Sequence, residues 1–229
     1  MTDKELIARH AANQVQNGML VGLGTGSTAN CFIAELARRC REENLQITTV
    51  SSSNASAIAA RNLGLSVMDF EQVSHLDMYV DGADEVSPDL TLLKGQGADL
   101  VREKLLATAS EQFLVLIEHS KLVERIGEKF AIPIEVMPFA WRLVKKQLEE
   151  TSGGQGDLRQ TPDKKNYAIS SYGSLILDMR FDKQIDTKTL NDILNHTPGI
   201  VEHGIFYGLT TAVLVGKNGK IQELRTTNA

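Results

Sequence analysis

Cysteine is scarce in this chain of 229 residues: Cys31 and Cys40 are the only two, and no second Cys/His cluster stands near either. A disulfide framework and a structural zinc site are therefore not expected, whereas a reducing cytoplasm is. Long apolar runs are missing as well; none approaches the length of about 18 residues that a membrane-spanning helix needs. The opening residues, MTDKELIARHAANQ, are charged and helical in pattern rather than a basic stretch before an apolar one, so no export signal is expected. Nor is there a surplus of positive charge: 24 Lys+Arg face 29 Asp+Glu, a net charge of −5, and no basic helix-turn-helix segment precedes Met19. Nucleic acid is not an expected partner, because such binding is built on phosphate contacts from Lys and Arg. Fixed-period repeats and low-complexity tracts are lacking too. What is there, 42% hydrophobic and 23% charged residues, is ordinary globular composition in a chain long enough for one large α/β domain, or one domain with a small companion.

The patterning alternates strand and helix. A helix over residues 3–16 is followed by an Asn17-Gly18 turn, an apolar strand MLVGL, and the loop Gly24-Thr25-Gly26-Ser27-Thr28. Phe32, Ile33, Leu36, Ala37 and Cys40 then recur with helical period, with Arg38, Arg39 and Arg41 on the other face. Ile47 to Val50 reads as a strand, and Ser51 to Asn54 can cap a helix over 55–62 that Gly64 stops. Leu65–Phe70 and Met78–Val80 are short apolar runs, a helix is expected over 98–110, and Phe113 to Ile117 is an unbroken apolar strand. Continuous apolar strands separated by helices indicate a parallel sheet covered on both faces. From about residue 130 the order becomes strand (134–137), helix (140–150), strands near Leu158 and over 175–181, helix (187–195) and strand (200–206). That βαββαβ order is ferredoxin-like. A hairpin through Lys217-Asn218-Gly219-Lys220 closes the chain. The expected fold is α/β: a Rossmann-like, mostly parallel sheet domain over 1–128 plus 207–229, and a smaller ferredoxin-like α+β domain over 129–206.

Three loops carry candidate chemistry. Gly24-Thr25-Gly26-Ser27-Thr28-Ala29 satisfies G-x-G-x-x-A, but the strand that follows ends in serines where a dinucleotide site wants an acidic residue for the ribose. Its glycines, hydroxyls and helix-start N–H groups instead suit a single phosphate. Asp81 and Asp84 flank Gly82 at a strand end, where open α/β sheets bind ligands; helix caps or a magnesium site are the other uses of such a pair. Lys94 precedes Gly95 and Gly97, which let backbone approach a ligand, and its cation can balance a phosphate or a developing oxyanion. Glu103, in the first turn of the next helix, is by itself no more than a favourable charge for the macrodipole. Because these loops lie at or beside strand ends, they can converge on one pocket.

Taken together, GTGST at 24–28, SSS-x-AS at 51–56, DGADE at 81–85, KG-x-G at 94–97, REK at 102–104 and SK at 120–121 resemble ribose-5-phosphate isomerase, type A. IPIEVMPFAW at 132–141 and PGIVEHGIF at 198–206 resemble that family's second domain. The resemblance implies an aldose–ketose isomerase of the non-oxidative pentose phosphate branch, working through an enediol with no metal and no cofactor. It implies Glu103 as the base, with Asp81, Asp84 and Lys94 assisting ring opening and charge stabilisation. Substrate contacts are implied for Thr25, Gly26, Ser27 and Thr28, for Gly82 and Ala83 beside the two aspartates, and for Gly95, Gln96 and Gly97 beside Lys94. Lys121 and Lys4 are implied near the phosphate, and a homodimer or homotetramer as the assembly.

The chain departs from the family pattern at three places: Gln96 where Gly is usual, Glu118-His119 where Asp often appears, and Ser170-Ser171-Tyr172-Gly173-Ser174 in place of TDNGN. The competing readings are a related isomerase or a deaminase acting on another phosphosugar, and a non-catalytic phosphosugar sensor.

Overall fold

A computed structural model describes residues 1–226. The chain divides into two compact units: Met1–Ala83 with Arg102–Lys121 and the stretch from Gly208 on, and Asp84–Val101 with Leu122–Tyr207. Residues 84–101 and 122–128 thus group with the second unit, where sequence reading had placed them in the first. The physical reason is a pair of short strands that no periodicity announces, described below. None of the described helices is long and apolar enough to cross a membrane.

With elements numbered in chain order, the first unit contains α1 (Asp3–Ala12), β1 (Leu20–Leu23), α2 (Ser27–Glu42), β2 (Thr48–Ser51), α3 (Asn54–Asn62) and β3 (Leu76–Asp81). It resumes in α4 (Leu100–Ala109), which begins in the second unit, and adds β6 (Ser110–Glu118), β12 (Ala212–Lys217) and β13 (Lys220–Arg225). The sheet order is β13-β12-β6-β3-β1-β2, parallel throughout except for the β12/β13 hairpin. The closing hairpin therefore returns to the first sheet. Ile7, Leu23, Phe32, Ile33, Leu36, Val80, Leu116 and Leu214 are among the residues that form its core, each such burial contributing about 1.5–3 kcal/mol. α1 stops at Ala12 rather than at residue 16, because the next amides fall back into three-residue turns, Gln14 N–H to Ala11 O and Val15 N–H to Ala12 O.

One line across this sheet positions the site. Gly22, Tyr79 and Phe113 are in register on β1, β3 and β6, and the Tyr79 and Phe113 rings stack at 4.9 Å. A Cβ at Gly22 would meet Tyr79 Cδ2 at 2.7 Å, so glycine in this apolar strand makes room for the tyrosine ring.

The second unit holds β4 (Glu85–Val86), β5 (Leu92–Leu93), β7 (Ile132–Val136), α5 (Trp141–Ser152), β8 (Gln155–Leu158), β9 (Leu175–Arg180), α6 (Thr187–His196), β10 (Ile200–His203) and β11 (Ile205–Phe206). Its antiparallel sheet has the order β10-β7-β9-β8, with the βαββαβ connectivity of a ferredoxin-like fold. Ile134, Val144, Leu148, Leu177, Met179 and Leu194 belong to a second, separate core. The strand expected over 200–206 is in fact two. Gly204 breaks it: its N–H donates to Pro133 O at 2.8 Å while its carbonyl accepts Lys94 N–H at 2.9 Å, and a Cβ there would overlap the Lys94 carbonyl. β11 so leaves the large antiparallel sheet and pairs with β5, which pairs with β4. That three-stranded sheet is what draws residues 84–101 into this unit.

Candidate active site

In the first unit β2, β1, β3, β6 and β12 run parallel, so their C-terminal ends lie at one edge. The GTGST loop leaves β1 there, the serines leave β2, Gly82 and Ala83 leave β3, and a single 3-10 turn, His119–Lys121, leaves β6. β1 has β2 on one side and β3 on the other, so connections diverge around it, which is where an open α/β sheet has its ligand crevice.

Asp81 is wholly buried at the end of β3 and ties this edge together. Its Oδ1 accepts the Thr25 N–H at 3.0 Å and the Gly82 N–H at 2.7 Å, and its Oδ2 accepts the Tyr79 hydroxyl at 2.6 Å. A Cβ at Gly24 would overlap that carboxylate, so the first glycine of the loop exists to let Asp81 in. Both Asp81 oxygens are thus engaged by N–H and O–H donors of the protein. The Thr25 hydroxyl is also turned inward, 3.0 Å from Ser52 Oγ and donating to Ser53 Oγ at 2.8 Å, while Ser53 caps α3 through Ser56 N–H. Gly26, at φ 103, supplies no side-chain cap to α2, whose first N–H groups have no acceptor within the helix. Ser27 there is exposed and Thr28 half-buried. The loop is thus braced from below through Thr25 and open above at Ser27 and Thr28.

Lys4 reaches the same loop, its Nζ donating to Ser27 Oγ at 3.0 Å and lying 3.4 Å from Glu118. What brings it there is the neighbouring residue: Asp3 accepts N–H groups from Asn218 and Gly219 at 3.0 and 2.8 Å, pinning the start of α1 to the β12/β13 turn. Lys121 ends the turn after β6. Of the departures from pattern, Glu118 faces Lys4, and His119 Nε2 lies 3.1 Å from Lys217 Nζ.

Glu103 sits in the first turn of α4 and is only 5% exposed. Burial first, then the charges of Asp81 and Glu103, push the Tyr79 hydroxyl well above its ordinary pKa, so it stays protonated and donating. Tyr79 therefore stands as a donor at the base of this strand end. Sequence reading missed it inside an apolar run; the available signal was its place two residues before Asp81, on the same strand face.

Asp84, Lys94, Gly95, Gln96 and Gly97 belong to the second unit, which the chain first enters at the Ala83–Asp84 bond. Asp84 is half-buried and lies 3.4 Å from the Gln96 N–H; Lys94 is 4% exposed, its ammonium 5.6 Å from the centre of the Phe206 ring. Gly95 has φ 97, and a Cβ there would collide with Leu100, so no other residue fits; Gly97 has open space. Gln96 is exposed, and its backbone carbonyl accepts from Arg159 at 2.9 Å. The Ser170–Ser174 segment turns inward on a carboxylate, Ser170 Oγ donating to Glu135 at 2.6 Å, and Ser171 Oγ donates to Asp99 at 2.7 Å.

Glycine-rich loop, crevice and braced acidic strand end define a class: a parallel α/β protein with an open helix start at its topological switch point. Comparison narrows it. The family described as ribose 5-phosphate isomerase A (phosphoriboisomerase A) matches residues 48–220. Ribose-5-phosphate isomerase A of Prochlorococcus marinus subsp. pastoris is 42% identical over 216 residues, 93% of both chains. The structure of ribose 5-phosphate isomerase A from Methanocaldococcus jannaschii superposes with a TM-score of 0.91 at 37% identity, covering 97% of this chain and 98% of that one. A D-ribose-5-phosphate isomerase in complex with phospho-erythronic acid gives 0.92 at 33% identity, covering 97% of each. The chain belongs to the ribose 5-phosphate isomerase A family.

Proposed function

We propose that this chain interconverts D-ribose 5-phosphate and D-ribulose 5-phosphate through an enediol, without a metal. The observation that carries the reading is Glu103: a carboxylate shielded from water, in the same unit as the phosphate cradle. The cradle holds the phosphate by helix-start N–H groups and the hydroxyls of Ser27 and Thr28, with Lys4 and Lys121 adding positive charge. Glu103 takes the proton from C2 of the open aldose and returns it to C1, while the C1 oxygen gains a proton and the C2 hydroxyl loses one. Asp81 acts chiefly through Thr25 and Tyr79, keeping the loop in place. Asp84 and Lys94 assist ring opening and offset the charge that grows on the sugar oxygens. The active form in this reading is a cytoplasmic homodimer or homotetramer.

The test is turnover of several phosphosugars with chelator present, for wild type and Glu103→Gln. An amide has no basic oxygen, so the variant should bind phosphosugar yet lose several orders of magnitude in kcat, the few kcal/mol of a missing general base. Wild type should exchange the C1 hydrogen of ribulose 5-phosphate in deuterated water, and the variant should not. Retention of activity within roughly tenfold would move the base elsewhere. Ammonia release or a preference for hexose phosphate would replace the reaction itself.

A further inference from the structure

The loop that carries Lys94 is held from behind by a residue no motif marks. Arg159, beside the end of β8, is gripped by Asp178 of β9, Nε to Oδ2 at 2.8 Å and Nη2 to Oδ1 at 2.6 Å. One edge of the guanidinium is spent on that bidentate pair, and the remaining nitrogen, Nη1, points at two successive carbonyls, Gly95 O at 3.2 Å and Gln96 O at 2.9 Å. The side chain is only 15% exposed. A trans peptide directs its N–H opposite its C=O, and no cis bond occurs among the described residues. Fixing these carbonyls on Arg159 therefore turns the N–H groups of Gln96 and Gly97 the other way. The first of them points at Asp84 Oδ2, 3.4 Å away.

We propose that Arg159 is a positioning residue for the reaction: braced by Asp178, it orients the two peptide units between Gly95 and Gly97 so that the Gln96 N–H holds Asp84, and Asp84 and the Gly97 N–H face the sugar oxygens. This rests on the isomerase reading above. The loop needs such a brace. Gly95 is in the left-handed region and Ala98, at φ 63, is there too, a conformation that costs a residue with a Cβ about 1 kcal/mol or more unless its surroundings impose it. The planar fork explains why arginine is used. Lysine offers one rotating ammonium and cannot hold a bidentate carboxylate and two carbonyls at once. It also gives the exposed Gln96 a place in the family pattern: the position acts through its backbone, which Arg159 holds whichever side chain stands there.

The experiment compares wild type, Arg159→Lys and Arg159→Ala in ribose 5-phosphate turnover and in amide exchange over residues 95–99. Arg159, Asp178, Leu158, Gln160, Tyr167 and Asp157 line an open cavity of about 520 Å³, so added guanidinium can reach the place the alanine variant leaves. The expected result is a folded Arg159→Lys protein with kcat lowered ten- to a hundredfold, KM changed less than threefold, and loop amides exchanging at least tenfold faster. Millimolar guanidinium, but not equal sodium chloride, should raise kcat of Arg159→Ala several-fold. A kcat within threefold of wild type for Arg159→Lys overturns the proposal. So does a loss that follows the fraction unfolded by circular dichroism, because Arg159 would then be structural only. Either result leaves the isomerase reading standing if wild type turns over ribose 5-phosphate; a wild type inert toward that sugar sinks both.

Discussion

Asp81 and Glu85 stand in one acidic motif, both wholly buried, yet they anchor different units. Asp81 collects Thr25, Gly82 and Tyr79 around the end of β3. Glu85, on β4, accepts three backbone N–H groups, from Gly127, Lys129 and Phe130 at 2.7, 2.6 and 2.7 Å. Both carboxylates are engaged by donors of the protein itself, three each, which suits the holding of neighbouring loops. Asp84 between them is only half-buried. The comparison teaches that depth of burial separates the two residues of this motif that tie loops together from Asp84, which solvent reaches.

The comparison breaks most visibly if Glu85 is removed. Glu85→Ala takes the acceptor from three part-buried N–H groups, at up to about 1–3 kcal/mol each before water enters, so a loss of about 3 kcal/mol is expected. Amide exchange should rise over residues 122–130 and β4 and change little in β1 to β3. Equal loosening of both units, or a loss under about 1 kcal/mol, would show that Glu85 is no anchor.

A smaller effect sharpens the Asp81 side. Ser27 is exposed and Thr28 half-buried while Thr25 is committed inward, so replacing Ser27 and Thr28 together by Ala should weaken phosphosugar binding about tenfold to a hundredfold. Calorimetric titration measures it, with unphosphorylated ribose as the control. If Thr25→Ala alone weakened binding more than the double variant, the division between inward brace and outward hydroxyls would be wrong.

Much of the first unit was legible because its chemistry sits directly after strands: GTGST after β1, serines after β2, DGA after β3. Parallel pairing then brings those ends to one edge with no further information. Lys4 was not legible in this way. Its position depends on Asp3 meeting amides of Asn218 and Gly219, a contact between the two ends of the sequence. The second unit was readable in its βαββαβ order but not in β4 and β5, two residues each and too short for any period. Gly204 looked like one residue of a strand and is instead where the chain changes sheets. Arg159 left no trace at all, since nothing in its neighbours foretells two carbonyls from the Lys94 loop.

The smallest expected effect concerns a third wholly buried carboxylate, Glu135 on β7, which contrasts with Asp81 and Glu85 in its donors. It receives the Ser170 hydroxyl rather than a set of backbone amides, and its Oε2 has no hydrogen-bond partner among the described residues. Burial raises its pKa above the ordinary glutamate value; the hydroxyls of Ser170 and Ser174 oppose the rise, and the charges of Glu202 and Asp99 add to it. The folded value lies above the unfolded one, so the fold favours the protonated form. Its contribution to stability is complete below the unfolded pKa of about 4.5 and is lost as pH rises through the raised folded value. At neutral pH the charged side chain works against the second unit. Glu135→Gln keeps the size and an oxygen for Ser170 and carries no charge, so it should melt higher than wild type at pH 7, with the gap closing as pH falls toward 4.5. Melting temperatures of the two proteins across that range measure it. A gap that does not change with pH, or a variant that melts no higher than wild type at pH 7, would mean that burial does not set the ionisation of Glu135, and that the serine turn at 170–174 is a carboxylate anchor after all.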